Sequence, residues 1–307
     1  MSDFHWACPV CRTALTAPDA ARLRCVTDDL IYECRDGIWR FLTPEREAYY
    51  AQFMHEYQQV RAAEGRGAID AAYYRALPFA DLSGRFTADW SIRARSFNAF
   101  VQLVLQPLER AVNRSLHVLD LGAGNGWLSY RLAQRGHQIA AIDLLTNPQD
   151  GLGAFIHYEA SFTPVQAEFD RLPFDGAQFD LTIFNASLHY AVNYEATLRE
   201  ALRVLQPTGQ IVILDSPVYR SGESGAQMVR EREAAFTQRY GFPSNALSSE
   251  NFLTQQRLHD LADALQLHWQ IIQPFYGWRW HLRPLWARLR GRREPARFAI
   301  MVGLRWT

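Results

Sequence analysis

The feature that most constrains this chain is the run Val118-Leu119-Asp120-Leu121-Gly122-Ala123-Gly124-Asn125-Gly126-Trp127-Leu128. Apolar residues around one acid read as a short buried strand. Three glycines at alternate positions permit a sharp turn and close backbone approach to a ligand, and Trp127 opens a helix. Such a unit starts a parallel α/β sheet with right-handed crossovers. The rhythm continues downstream. Strands are predicted at His117 to Leu121, Gln138 to Asp143, Phe179 to Asn185 and Gln210 to Leu214. A helix is predicted at Trp127 to Arg135, and an amphipathic one at Tyr194 to Leu205, stopped by Pro207 and Gly209. After a helical insertion over about 220–268, Trp269 to Gln273 and Phe298 to Arg305 are expected to add two final strands.

A glycine loop of this kind serves two ligand classes. The dinucleotide pattern places its third glycine where this chain has the bulky Trp127. Asp120 at the strand end repels a pyrophosphate but suits a ligand bearing an ammonium and a sulfonium, which points to S-adenosylmethionine. The second strand ends at Asp143-Leu144, a carboxylate for two ribose hydroxyls and an apolar face for adenine. Ala167-Glu168-Phe169-Asp170-Arg171-Leu172-Pro173-Phe174 follows the next crossover and offers an acid to the adenine amino group. Asn185 closes the strand that begins at Phe179.

The stretch from 116 to about 215 resembles the class I methyltransferase family in four ordered motifs: the Asp-Leu-Gly-x-Gly-x-Gly loop, the ribose acid, an acid before Leu-Pro-Phe, and a Phe-Asp strand. The resemblance implies a Rossmann-like sheet with helices on both faces. It assigns Asp120, Gly122, Ala123, Gly124, Asn125 and Gly126 to the methionine end, Asp143 to the ribose, and Glu168 with Phe169 to adenine, beside the apolar Leu144. Asp170 is the fallback, because the family carries Asp where Glu168 stands.

All four cysteines fall between residues 8 and 34. Cys8-Pro9-Val10-Cys11 is a metal knuckle, and Cys25 is a third thiolate. The segment from Cys8 to Leu42 resembles the Trm112-like zinc-ribbon family, which implies a small β-rich module holding structural zinc on Cys8, Cys11 and Cys25, completed by Cys34 or Asp28. The expected organisation is a module over 1–43, a helical cap over 44–110, and the methyltransferase domain over 111–307.

The 32 basic residues balance 32 acids and are all Arg, so no global field recruits nucleic acid or membrane. The absence of Lys excludes Schiff-base and P-loop lysine chemistry. The amino terminus lacks a basic and apolar leader pattern, and clustered cysteines do not form a disulfide framework; a cytoplasmic setting is expected. His189, with Tyr190, is the candidate base just past the strand that ends at Asn185. The aromatic-rich cap suits a small amphipathic acceptor such as a lipid or quinone-like molecule. The Trp- and Arg-rich segment 278–293 reads as an amphipathic helix for a membrane surface or RNA. RNA methylation is the second reading for the chain; a non-catalytic S-adenosylmethionine-binding partner protein and a nicotinamide oxidoreductase are the others.

Overall fold

The computed structural model describes residues 4–67 and 70–306. Strands β1 (Thr16–Asp19), β2 (Arg22–Cys25), β3 (Leu30–Arg35) and β4 (Ile38–Arg40) form an antiparallel meander. Helices α1 (Pro44–Ala63), α2 (Ala71–Ala76), α3 (Thr87–Phe100) and α4 (Gln106–Val112) follow, the last two joined by a π-helical turn. Next come β5 (His117–Leu121), α5 (Trp127–Ala133), β6 (Gln138–Asp143), β7 (Thr163–Gln166), β8 (Phe179–Asn185), α6 (Tyr194–Val204) and β9 (Leu205–Leu214). The remainder is β10 (Val218–Tyr219), α7 (Gly222–Tyr240), β11 (Leu253–Thr254), α8 (Gln255–Leu265), β12 (Leu267–Ile272), α9 (Trp278–His281), α10 (Arg283–Leu289) and β13 (Ile300–Arg305).

Eleven strands form one sheet in the order β1-β2-β3-β4-β7-β6-β5-β8-β9-β13-β12. The strands from β7 to β9 are parallel, and β13 inserts antiparallel between β9 and β12. The chain winds outward from β5 to β7, then returns to β8 on the other side. That reversal opens a crevice at the carboxyl ends of β5 and β8, where open α/β sheets bind ligands. The sheet is apolar on both faces because both are covered: β8 is buried along its whole length. One face packs Leu119, Leu121, Ile142 and Phe184 under Leu198 of α6 and Leu258 of α8. The other packs Val118, Leu181 and Ile183 under Phe100 and Leu128. Helix α6 buries Tyr194, Thr197, Leu198, Ala201 and Val204 at helical spacing, capped by Asn193, whose side chain accepts from the Ala196 N–H at 3.0 Å.

One expectation is corrected. Pro207 and Gly209 do not separate helix from strand: β9 begins at Leu205, and its pairing slips between Phe179↔Leu205 and Leu181↔Gln210. The residues read as a stop form a bulge, which accommodates a proline and a glycine at a sheet position. The cysteine-bearing segment joins the main sheet, because β4 pairs in parallel with β7 through Trp39↔Val165 and Arg40↔Gln166. Trp6 seals the seam, stacked 5.3 Å from Phe41 and 5.0 Å from Phe174. Among the described residues, no helix is long and apolar enough to cross a membrane.

Candidate active site

The glycine loop takes its shape from backbone geometry. Gly122, Gly124 and Gly126 all have positive φ, near +79°, +55° and +78°. A Cβ at Gly122 would stand 2.3 Å from the Ser187 Cβ, so that position requires glycine for space as well as conformation. The Gly122 and Ala123 N–H groups donate to the Ile142 carbonyl at 2.8 and 2.9 Å. The Asn125 side chain accepts from the Trp127 N–H at 3.3 Å. Trp127 is buried edge-on against Trp90 and Phe97, so the third dinucleotide glycine is replaced by a core residue.

Loop and strand ends line one cleft, which includes Gly122, Ala123, Gly124, Asn125, Asp143, Leu144, Leu145, Phe169, Asp170 and Asn185. Asp143 accepts from the N–H groups of Gly124 and Leu145, both at 2.8 Å. Burial pushes its pKa up to about 6 against those two donors. Asn185 also lines the cleft, and its Oδ1 is buried with no hydrogen-bond partner among the described residues. A glycine cradle, a cleft-lining carboxylate and an unpaired amide oxygen fit the polar groups that S-adenosylmethionine presents.

Asp120 stands outside the cleft, whereas Glu168 lines it. Strand alternation turns Asp120 toward α5, where it is fully buried and accepts from the Ser129 hydroxyl at 2.7 Å; burial lifts its pKa to about 7. It supports the loop from behind and does not line the cleft. Glu168 is bound by the cap. Arg46 donates from Nε and Nη2 at 2.6 to 3.1 Å, and Tyr50 donates at 3.0 Å. Glu168 and the fallback Asp170 both line the cleft, but a carboxylate so occupied as Glu168 has little capacity left for an adenine amino group, and burial raises the pKa of Asp170.

Helix α1 spans this cleft. Tyr50, Phe53, Tyr57 and Arg61 recur along one face and all contribute to the wall. Arg46 pins its first turn to Glu168, and Arg61 pins its last turn to Asp150 through paired contacts. Thr43 caps the helix by accepting from the Arg46 N–H at 3.4 Å. Sequence reading missed these two ion pairs, since no local spacing relates Arg46 to Glu168 or Arg61 to Asp150.

On the acceptor side, Tyr190 lines the cleft and meets the rings of Phe53 at 6.1 Å and Tyr57 at 6.0 Å. His189 does not line it. Its ring leans on Tyr190 with Nδ1 buried and without a hydrogen-bond partner among the described residues, and burial, with the charges of Arg232 and Arg93, pushes its pKa down to about 3. A neutral ring of that basicity is a poor proton acceptor at neutral pH. Behind the wall, the Ser96 hydroxyl donates to Asp215 and shares a 2.8 Å hydrogen bond with the Tyr276 hydroxyl.

The amino-terminal cluster brings Cys8, Cys11, Cys25 and Asp28 together, with their four ligand atoms within 4.8 Å of one another. The Asp28 carboxylate is 3.2 Å from Cys8 Sγ, and Cys11 Sγ is 3.4 Å from Cys25 Sγ. Cys34 is not in the set. Cys25 pairs with Leu30 at the hairpin end, and Cys34 stands four residues further along β3, about 13 Å at the usual strand rise.

Residues 119–213 match the family model described as a methyltransferase domain. Over 124 residues the chain is 32% identical to the malonyl-[acyl-carrier protein] O-methyltransferase of Erwinia pyrifoliae, covering 39% of this chain and 46% of that protein. Over 116 residues it is 31% identical to the ubiquinone/menaquinone biosynthesis C-methyltransferase UbiE of Vibrio vulnificus, covering 33% and 42%. The chain thus spans less than half the length of these curated relatives. Among solved structures, the 1,6-didemethyltoxoflavin-N1-methyltransferase of Burkholderia thailandensis aligns at 17% identity and a TM-score of 0.49, covering 95% of this chain and 99% of that one. The matched segment runs from β5 into β9; α1, the cysteine cluster and α9–α10 lie outside it.

Proposed function

We propose that this protein transfers a methyl group from S-adenosylmethionine to a small amphipathic acceptor. The reading rests on one convergence: Asn185, Asp143 and the positive-φ glycines Gly122 and Gly124 line a single cleft walled by the aromatic face of α1. When bound, the cofactor supplies an electrophilic methyl group on a sulfonium. The loop from Gly122 to Asn125 and the Asn185 amide oxygen hold the methionine end, and Asp143 takes the ribose hydroxyls. Leu144, Leu145 and Phe169 face adenine, with Asp170 receiving its amino group. Tyr50, Phe53, Tyr57, Trp90, Tyr190 and Leu247 enclose the acceptor, excluding water and fixing its approach. An aromatic enclosure of this kind favours a compact apolar body over a polynucleotide. The relatives above are named for malonyl-[acyl-carrier protein] and for ubiquinone/menaquinone biosynthesis.

Calorimetric titration tests the cofactor class. S-adenosylhomocysteine is expected to bind at micromolar affinity, weakened by Asp143→Ala, while NAD does not bind; binding of NAD alone overturns the reading.

The Cys8, Cys11, Cys25 and Asp28 set supports a structural zinc site in a Trm112-like module. Three thiolates and a carboxylate within 4.8 Å suit a closed tetrahedron, in which sulfur atoms about 2.3 Å from the metal stand under 4 Å apart. Tyr32, 3.3 Å from Cys8 Sγ, orients that ligand from outside. Metal analysis of the purified chain is expected to give one zinc per molecule, lost in Cys25→Ser; a metal-free, fully folded wild type refutes the site.

A further inference from the structure

The segment from Phe275 to Arg292 presents its apolar side to solvent. At about 100° per residue, Trp278, Leu282, Leu285, Trp286 and Leu289 fall within an arc of about 100° along α9 and α10. Inside a folded domain such a stripe normally faces the core. Here Trp278 is 75% exposed, Leu282 43%, Leu285 53%, Trp286 52% and Leu289 69%, with Phe275 alongside at 56%. The half-buried positions are Trp280, Arg283, Pro284 and Ala287, on the opposite side. Trp280 anchors that side against Tyr276 and Phe298 at ring distances of 5.3 and 5.5 Å. The helix therefore turns its apolar face outward by construction.

Arginines flank the stripe. Arg279 and Arg290 border one edge and Arg288 the other, with Arg292 just beyond, and none of the four has an ion-pair partner among the described residues. No acidic residue occurs between Asp263 and Glu294. A contiguous exposed apolar stripe edged by unneutralised cations matches a helix that inserts apolar side chains at the acyl boundary while its cations meet anionic headgroups. A second copy of the chain would bring arginine against arginine. RNA would engage the arginines but leave the leucines and Trp278 in water.

We propose that the outward face of α9–α10, carried by Trp278, Leu282, Leu285, Trp286 and Leu289 between Arg279, Arg288, Arg290 and Arg292, docks this protein on an anionic phospholipid surface. The proposal is independent of the methyl-transfer reading. The same segment adjoins the acceptor side of the fold, because Tyr276 hydrogen-bonds to Ser96 of α3, two turns from the cleft-lining Trp90.

Vesicle flotation of the full chain tests the surface, with phosphatidylcholine vesicles and with the same vesicles containing phosphatidylglycerol. Binding is expected to the anionic vesicles, at least about tenfold weaker to the neutral ones, and to fall as salt rises. The double variant Leu285→Glu and Leu289→Glu alters only exposed side chains and is expected to lose binding while keeping the wild-type melting temperature. The quadruple Arg→Gln variant at 279, 288, 290 and 292 is expected to lose the preference for anionic lipid. Folded wild type that does not float, or binding that neither variant changes, overturns the proposal. So does a dimer that the Leu285→Glu change dissociates without any vesicle binding, or retention on RNA alone.

Discussion

The ion pair between Arg46 and Glu168 permits a quantitative test of how α1 is held. Arg46→Met keeps the aliphatic length and removes the guanidinium. Glu168 is only 4% exposed and Arg46 17%, so solvent cannot replace the lost partner. Breaking one side of a buried pair costs about 3–5 kcal/mol. Two groups soften the loss here: Tyr50 still donates at 3.0 Å, and the Arg171 guanidinium stands 3.8 Å away, which places the expected cost near the lower end, about 3 kcal/mol. For 307 residues the unfolding entropy is about 0.64 kcal/mol/K, from about 2.1 cal/mol/K per residue, so the melting temperature should fall by about 5 °C in calorimetry. The partner variant Glu168→Gln, combined with Arg46→Met, should recover part of that loss, since an amide is cheaper to bury than an unpaired carboxylate. A drop below about 1 °C for Arg46→Met, or a double variant equal to the sum of the singles, refutes the view that this pair pins the helix.

Asp143 and Asp120 carry folded-state pKa values raised to about 6 and about 7. The native state therefore binds more protons than the unfolded chain between the ordinary carboxylate value and those pH values, and stability should decline as pH rises from about 4 to 7; denaturant melts across that range check the sign. A ligand whose hydroxyls donate to Asp143 selects its ionised form, so S-adenosylhomocysteine should bind about tenfold more weakly at pH 5 than at pH 7, and a flat titration series refutes the assignment. Asp170→Ala should weaken nucleoside binding about tenfold with little change in melting temperature, distinguishing it from Glu168, whose loss acts on stability. His189→Ala should leave turnover within about threefold, because a ring this weakly basic contributes little as a proton acceptor; a loss of a hundredfold would restore it as the base.

The central sheet was legible because its signals are local. The strands His117–Leu121, Gln138–Asp143 and Phe179–Asn185 each announce themselves as apolar runs, and the loop glycines encode a backbone shape that side-chain-bearing residues avoid. Cys8, Cys11 and Cys25 were legible for the same reason, since a knuckle depends on spacing. What escaped depends on neighbours far apart in sequence. Arg46 meets Glu168 across 122 positions, and nothing near either residue signals it. The facing of Asp120 turned on which side of β5 the helix α5 covers, and the exclusion of Cys34 turned on hairpin register. The outward orientation of α9–α10 was likewise unreadable from an amphipathic pattern, which gives the width of an apolar face but not what it meets.

The junction between β4 and β7 also bears on how the chain acquires its structure. Trp39 pairs with Val165, so a ladder near the amino terminus closes only after more than a hundred further residues have been made. During synthesis the meander waits with one hydrogen-bonding edge open, and the late arrival of β7 both completes that edge and covers its own. Contacts of such long sequence separation slow folding and leave strand edges available to wrong partners in the interval. Once closed, the junction protects β7 from serving as a template for edge-to-edge aggregation.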